Sequence, residues 1–243
     1  MSSLLDPSNA LRTFSEPSAG ADARSRLETR LPPLLSVIAG MVDLTGFFTL
    51  GHVFTAHITG NLVVAAAAAV RGGPVAPMQL LAIPIFMLAL AAVWLLAEKS
   101  NRSGPRLASL LLLVQFMLLA AVLTLAVATR PSESPDGTAA AVAVMLCVCA
   151  MACQYALLRL AMPAVVSTAV MTGNLTNAVL SLMDLLSARH PLLPADADRL
   201  KRSLFLLLGF LLGCLVAAAA VSVSADWAWA LPAALAAAAL AVR

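Results

Sequence analysis

One nine-residue stretch occurs twice in this chain. Thr55 to Val63 and Thr168 to Thr176 share Thr-Ala at the start and Thr-Gly-Asn-Leu from the fifth position, which makes six identities in nine. The offset is 113 residues, close to half of the 243-residue length. A repeat of this period predicts that the chain consists of two fused, related halves.

The composition restricts the class of protein. Hydrophobic residues make up 61% of the chain and charged residues 11%, too few to cover the surface of a soluble globule. Six runs lack Lys and Arg for about 20 residues, enough to cross a hydrocarbon core of roughly 30 Å. They also lack the period-two alternation of barrel strands. The sequence predicts an all-α polytopic membrane protein whose surroundings are the lipid bilayer.

The basic residues and the Pro-rich stretches divide the chain. We predict a polar tail at 1–30, a first membrane half at 31–130, a linker at 131–138 and a second membrane half at 139–243. Arg24, Arg26 and Arg30 directly precede the first span, so the positive-inside rule predicts a cytoplasmic N-terminus. The tail has no short apolar core with a cleavage site, so we interpret it as retained rather than as a signal peptide.

Asp43 stands well inside the first apolar run. A carboxylate in hydrocarbon costs about 2.5 to 3.5 kcal/mol even on lenient insertion scales, so it should face a partner or a water-filled cavity. A position nearer the interface, or a protonated carboxyl group, would be the simpler explanation. At the offset of 113 the second half has Ala156, so the charge is not repeated.

The repeated stretch combines a flexible glycine with flanking side chains that hydrogen-bond the backbone. Such a triplet can begin or break a helix and expose N–H groups to a polar solute. Alternatively, the glycines admit a neighbouring helix and the polar side chains bond across the interface. On a helix His57 would share a face with Asn61. The predicted solute-binding residues are Asp43, His57, Thr59, Gly60, Asn61, Thr172, Gly173 and Asn174.

Two topologies fit the hydropathy. If the repeated segments are re-entrant, the chain has six full spans plus two interrupted segments, and thirteen basic residues are inside and two outside. If both segments cross, there are eight spans, with eleven basic residues inside and four outside. The positive-inside rule favours the first arrangement. An odd number of crossings per half also inverts the second half, as in many transporters.

Several residues resemble a known family. Gly40 and Asp43, then Gly51 and Phe54, precede the first Thr-Gly-Asn triplet, and the second triplet follows at Thr172. This pattern resembles the YoaK-like family of bacterial membrane proteins of unknown function, from about Leu34 to Val242. The resemblance implies a multi-pass protein of the bacterial cytoplasmic (inner) membrane. It implies no substrate or reaction.

The leading functional hypothesis is a transporter or channel for a small solute or ion that is not identified, with its polar site at the two triplets. The alternative is an accessory or structural membrane protein in which the triplets only pack helices. We expect no enzyme, because the chain lacks the usual hydrolase and metalloprotease motifs and carries no pair of carboxylates on one span. We also expect no cofactor, no metal and no nucleic-acid partner. Gly209 and Gly213 form a small-residue pair that allows close packing, within one chain or in a homo-oligomer.

Overall fold

A computed structural model gives the fold of the chain. It describes residues 19–73, 75–100, 103–163, 165, 168, 171–186 and 194–241, with the backbone alone at 19–27 and 194–196. Residues 1–18, most of the predicted tail, lie outside the described residues. The first helix already begins at Ala19, so the rest of the predicted tail is helical.

The described chain consists of helices and short turns. The helices are α1 (Ala19–Thr49), α2 (Gly60–Val70), α3 (Pro77–Ser100), α4 (Gly104–Thr129), α5 (Thr138–Ala156), α6 (Met171–Leu186), α7 (Pro194–Ser224) and α8 (Ala230–Ala241). A π-helical turn, Leu157–Ala161, follows α5, and a 3₁₀ turn, Ala225–Trp229, joins α7 to α8. In element order, α1 to α4 of the first half match α5 to α8 of the second.

Five helical stretches in the described residues are long and apolar enough to cross a bilayer. They are Glu28–Thr49, Pro77–Ser100, Gly104–Thr129, Thr138–Ala161 and Ala197–Ala241. The last contains both α7 and α8, which the predicted scheme counts as two spans. The predicted class, an all-α polytopic membrane protein, is confirmed. The number of crossings stays a prediction.

Helices α1 and α7 form the closest pair and run parallel. Ser36 of α1 donates a hydrogen bond of 2.6 Å to the carbonyl oxygen of Leu206. Further along, a Cβ atom at Gly40 would collide with the carbonyl oxygen of Phe210, and one at Gly213 with that of Val37. The close approach predicted for Gly213 therefore occurs within the chain, against the first helix.

Helices α1 and α5 run in opposite directions. Near the start of the apolar part of α1, the carbonyl oxygen of Leu35 accepts a 2.9 Å hydrogen bond from Nε2 of Gln154, near the end of α5. Beyond the end of α1, Gly51 lies against the carbonyl oxygen of Pro135, just before α5 begins. We call the end of the bundle at Gly51 the loop end, and the end at which α1 and α7 begin the basic end.

The chain leaves and re-enters the loop end between α1 and α3. Leu50 and Gly51 line the same cavity, of about 170 Å³, as Pro77 and Met78 at the start of α3. Nε2 of Gln79 also lies 3.4 Å from the carbonyl oxygen of His52. The first repeated segment thus starts and finishes at one end of the bundle. With only eleven residues, α2 is about 16 Å long and cannot span the bilayer.

Candidate functional site

Asp43 holds the loop that precedes α2. The residue is 3% exposed, and Oδ1 accepts hydrogen bonds from the backbone N–H groups of Thr55 at 2.8 Å and Ala56 at 2.7 Å. The N–H of His57 is a longer third donor at 3.4 Å. Oδ2 lies 2.6 Å from Nδ1 of His57. The carboxylate therefore satisfies donors that an interrupted helix would otherwise leave unpaired in hydrocarbon.

This contact also fixes the depth of the loop. Asp43 precedes Leu50 by seven residues of helix, which places its Cα about 10 Å below the loop end. The loop residues that it binds therefore lie inside the helix bundle rather than at its end. The sequence predicted a partner or a water-filled cavity for Asp43, and in the structure the carboxylate contacts the first repeated stretch.

Asn61, in the first turn of α2, binds the same loop through its side chain. It is fully buried, its Oδ1 accepts the N–H of Phe54 at 2.8 Å, and its Nδ2 donates to the carbonyl oxygen of Phe54 at 2.7 Å. Gly60 lies against the Phe54 ring, where a Cβ atom would be only 3.1 Å from the ring carbons. The triplet thus begins a helix, with α2 starting at Gly60, and folds the preceding loop back onto that helix.

His57 and Thr59 are the accessible members of the first triplet region. His57 lies in the loop rather than on a helix, so the expected shared helical face with Asn61 is wrong. The reason is that Asp43 binds the backbone N–H groups at this point, and helical hydrogen bonding begins only afterwards. The His57 side chain is 33% exposed and its ring packs edge-on against Phe210 of α7 at 4.9 Å between centroids. Thr59 is exposed.

Two adjacent residues of α5 each contact one of the two repeated stretches. The hydroxyl of Tyr155 donates a 3.0 Å hydrogen bond to the carbonyl oxygen of Ala56, in the first stretch. Nε2 of Gln154 lies 3.5 Å from Oγ1 of Thr168, in the second. Gln154 also accepts a 2.8 Å hydrogen bond from Gln115 of α4. The two stretches therefore meet on one turn of α5, inside the bundle.

The second triplet lies at the start of α6, which packs against α7. Asn174 is buried, at 2% exposure, whereas Thr172 is exposed and Gly173 is half-buried. Helix α7 contacts both copies, because it packs on α6 and also carries Phe210 against His57. The predicted site residues are thus arranged around α5 and α7, with Asp43, His57 and Asn61 forming the most closely bonded group.

Several buried hydroxyl and amide atoms have no hydrogen-bond partner. In the described residues they include Oγ1 of Thr45 and of Thr55, and Oε1 of Gln79 and of Gln115. An unpaired polar atom in a low-dielectric interior costs about 1 to 3 kcal/mol. Thr55 lies beside Asp43, and Thr45 lies two residues further along α1.

Sequence reasoning missed two residues that contact the repeated stretches. Tyr155 and Gln154 were not among the predicted site residues. Their signal was a polar side chain inside an apolar run, which marks an enclosed face. The four cysteines are free thiols, and Cys147 and Cys153 belong to the hydrophobic core, where their small side chains pack.

The geometry assigns different chemistry to the carboxylate and to the imidazole. Both oxygens of Asp43 are already engaged by the loop, so this residue positions the backbone rather than presenting an open ligand. His57 has one ring nitrogen at Asp43 and a partly exposed ring, so it is the more accessible side chain of the pair. Thr59 and the unpaired hydroxyls add hydrogen-bonding capacity.

Comparisons with known proteins identify relatives. Residues 31–242 match the family described as "Protein of unknown function (DUF1275)". A segment of 30 residues is 60% identical to the UPF0700 transmembrane protein YoaK of Bacillus subtilis (strain 168), and covers 12% of this chain and 13% of that protein. No solved structure matches the chain. The chain therefore belongs to the DUF1275 family, whose function is unknown, and it is a multi-pass membrane protein.

Proposed function

We propose that this protein is a small-solute transporter of the bacterial inner membrane rather than an enzyme. Its polar pathway lies between two halves of opposite orientation. The single observation that carries the proposal is the meeting of the two repeated stretches at Gln154 and Tyr155 of α5. Interrupted helices that approach each other inside the bundle are the usual construction of a transporter site.

The helix directions support six crossings with inverted halves. Antiparallel α1 and α5 agree with an odd number of crossings per half, whereas eight crossings would make this pair parallel. The return of the chain to the loop end between Gly51 and Met78 favours a re-entrant first segment. The basic end carries Lys99, Arg106, Arg159, Lys201 and Arg202, which makes it the cytoplasmic end under the positive-inside rule and places the N-terminus there.

The residues divide into those that shape the pathway and those that contact solute. Asp43 and Asn61 hold the first loop, and Gln154 and Tyr155 join it to the second. His57 and Thr59 offer exposed polar atoms, and in the second half Thr172 is the exposed counterpart of Thr59 and Asn174 the buried counterpart of Asn61. One ring nitrogen of His57 lies beside the Asp43 side chain. His57 is therefore also the group that would carry a proton if transport is coupled to protons.

A flux assay tests this function. Purified protein in sealed liposomes is given a panel of radiolabelled sugars, amino acids, organic acids, amines and inorganic ions, with and without a pH gradient. We expect uptake of at least one class, and its loss in His57→Ala. Asp226→Asn serves as the control, because Asp226 binds Ser132 at the loop end and lies outside the proposed pathway. Flux indistinguishable from empty liposomes across the panel would contradict transport.

A labelling experiment tests the topology separately. Single cysteines at Gly73 and at Ala197 are placed in a cysteine-free background and exposed to a membrane-impermeant thiol reagent in intact cells. Inverted halves predict that the Gly73 position is labelled from outside and that the Ala197 position is not. Protection of both positions would favour the eight-span alternative.

The accessory-protein alternative is supported by one specific observation. Every oxygen of Asp43 is used within the fold, as in a purely structural contact. Under that alternative His57→Ala and Asn61→Ala would lower the yield of folded protein without affecting any solute flux. Loss of flux at normal yield would exclude it.

A further inference from the structure

Helix α6 has one buried row and two flanks that differ in chemistry. The buried row consists of Asn174, Ala178 and Ser181, and α7 is the described helix on which α6 packs. Successive residues are about 100° apart around a helix, so a flank lies on each side of this row. The apolar flank consists of Leu175, Val179, Leu182 and Leu186, each between 41% and 71% exposed. The polar flank consists of Gly173, Asn177, Leu180 and Asp184.

Asn177 is an exposed amide on an otherwise apolar surface. Its neighbours Val179 and Leu180 are 48% and 58% exposed, as expected of side chains that face lipid. In the part of the chain that the structure describes, no hydrogen bond engages the Asn177 side chain. The amide lies nine residues before Leu186, about 14 Å of helix from the end of α6. Because an amide without a partner in an apolar surrounding is unfavourable, Asn177 needs a polar neighbour.

The equivalent helix of the first half does not have this feature. At the offset of 113 residues, Val63 and Val64 of α2 occupy the places of Thr176 and Asn177. Val63 is 70% exposed, so that surface of α2 is purely apolar. The polar flank is therefore a property of α6 alone and does not follow from the repeated architecture.

The spacing along the polar flank is that of a two-helix seam. Its members are four, three and four residues apart, the 3.5-residue period at which one helix contacts another over several turns. In heptad terms Asn177 is at an a position, and Gly173 and Leu180 are at d positions. A single Asn at an a position pairs with its equivalent in a parallel dimer, because an amide is both donor and acceptor. Gly173 allows the two helices to approach closely.

Asp184 is compatible with such a pair. It lies in the last turn of α6, and only residues 187–193 separate that helix from the start of α7 at the basic end. Seven residues reach about 25 Å at most, so α6 ends in the part of the bundle nearer the basic end. Two Asp184 side chains would therefore lie toward the surface of the bundle, where water lowers the repulsion between them.

We propose that a second copy of this chain packs on the polar flank of α6, with the two Asn177 amides hydrogen-bonded to each other. Two copies inserted in the same direction are related by a two-fold axis along the membrane normal, which places the two α6 helices in parallel with equal residues opposite. The seam begins at Gly173, in the second triplet, so the second copy borders the proposed solute pathway. The proposal rests on membrane insertion and not on transport.

Cross-linking tests which flank forms the contact. Single cysteines replace Leu180 of the polar flank or Leu182 of the apolar flank in a cysteine-free background, and Asn177 stays intact. Two epitope-tagged forms of each variant are co-expressed, and membranes are treated with a short bifunctional thiol reagent. We expect a product of two copies with both tags from Leu180→Cys and none from Leu182→Cys. Equal products from both variants, or a product that joins Leu180→Cys to a different protein, would overturn the proposal.

The strength of the contact is measured by energy transfer between two labelled populations in liposomes diluted with lipid. Asn177→Leu should raise the dissociation constant of the dimer about tenfold, the expected effect of losing hydrogen bonds between membrane helices. Thr124→Leu is the control, because this exposed hydroxyl of α4 bonds the carbonyl oxygen of Ala120 in its own helix. It should leave the constant unchanged.

The result is independent of the flux assay. A monomer at every lipid ratio, or an unchanged constant in Asn177→Leu, would overturn the proposal. If Asn177→Leu does not fold, cross-linking at Leu180 still decides, since it keeps the amide. A dimer without flux would contradict transport alone, and a monomer with flux would contradict the dimer alone.

Discussion

Replacement of Asp43 gives the sharpest test of how the first repeated stretch is held. Asp43→Asn keeps the size of the side chain and one acceptor oxygen, and removes the charge. Hydrogen bonds to charged groups contribute about 1.5 to 3 kcal/mol, and neutral ones about 0.5 to 1.5 kcal/mol. The two short backbone bonds and the contact with His57 should therefore weaken by about 1 kcal/mol each. We expect the free energy of unfolding to fall by about 2 to 3 kcal/mol.

Asp43→Leu should cost more than the amide. It leaves the buried N–H groups of Thr55 and Ala56 with no acceptor, at about 1 to 3 kcal/mol each, and also removes the contact with His57. The expected loss is about 3 to 6 kcal/mol. The order of stability, wild type above Asn above Leu, tests hydrogen bonding, because all three side chains have four heavy atoms branched at Cγ and differ in their ability to accept hydrogen bonds.

Two readouts are needed, stability and loop accessibility. Unfolding by sodium dodecyl sulfate in mixed micelles gives the free-energy change. The reaction rate of a single cysteine at the exposed Thr59 position with a polar thiol reagent reports opening of the loop. Asp226→Asn is the matched control, since Asp226 is 6% exposed and accepts the N–H and the hydroxyl of Ser132. We expect it to lower stability without changing the rate at Thr59.

The reasoning would be refuted by either of two results. One is an Asp43→Leu protein as stable as Asp43→Asn, which would mean that the backbone N–H groups find other acceptors. The other is an unchanged reaction rate at Thr59 in both variants, which would mean that Asp43 does not hold the loop.

Three further predictions concern the surroundings of this cluster. Tyr155→Phe removes the hydroxyl that bonds the first loop, and should lower the free energy of unfolding by about 1 kcal/mol while raising the reaction rate of the Thr59 cysteine reporter. Gly213→Ala should reduce the yield of folded protein, because its Cβ would overlap a carbonyl oxygen of α1, whereas Gly73→Ala meets nothing closer than 3.6 Å and should be neutral in detergent unfolding. Asn61→Asp keeps an acceptor for the Phe54 N–H but loses the donor, and we expect a loss of about 1 to 2 kcal/mol in the same assay.

The membrane class and the interruption at the first triplet were predictable from local sequence. Long apolar runs allow only helices in lipid, and the Thr-Gly-Asn triplet marks the start of α2 at Gly60. A buried carboxylate needs a partner, so the existence of a contact for Asp43 also followed. The identity of the partner did not, because the loop conformation depends on which backbone N–H groups the carboxylate reaches.

Contacts between distant segments were beyond the reach of a single sequence. The close approach at Gly213 was predictable from residue size, but its partner helix, α1, was not. The same holds for Tyr155, whose hydroxyl bonds a residue 99 positions away. An aromatic hydroxyl in an apolar run indicates an enclosed partner, but neither composition nor periodicity states which one.

The two halves hold their repeated stretches by different means, and this asymmetry has a kinetic consequence. The first loop is fastened by a carboxylate through two short backbone bonds. At the equivalent position the second half has Ala156, and in the part of the second stretch that the structure describes Oγ1 of Thr168 lies 3.5 Å from the neutral amide of Gln154. Since charge-assisted bonds are about twice as strong as neutral ones, the first stretch should open less often. Hydrogen exchange should therefore be slower at Thr55 and Ala56 than at Thr168, and equal rates would mean that the carboxylate adds no local stability.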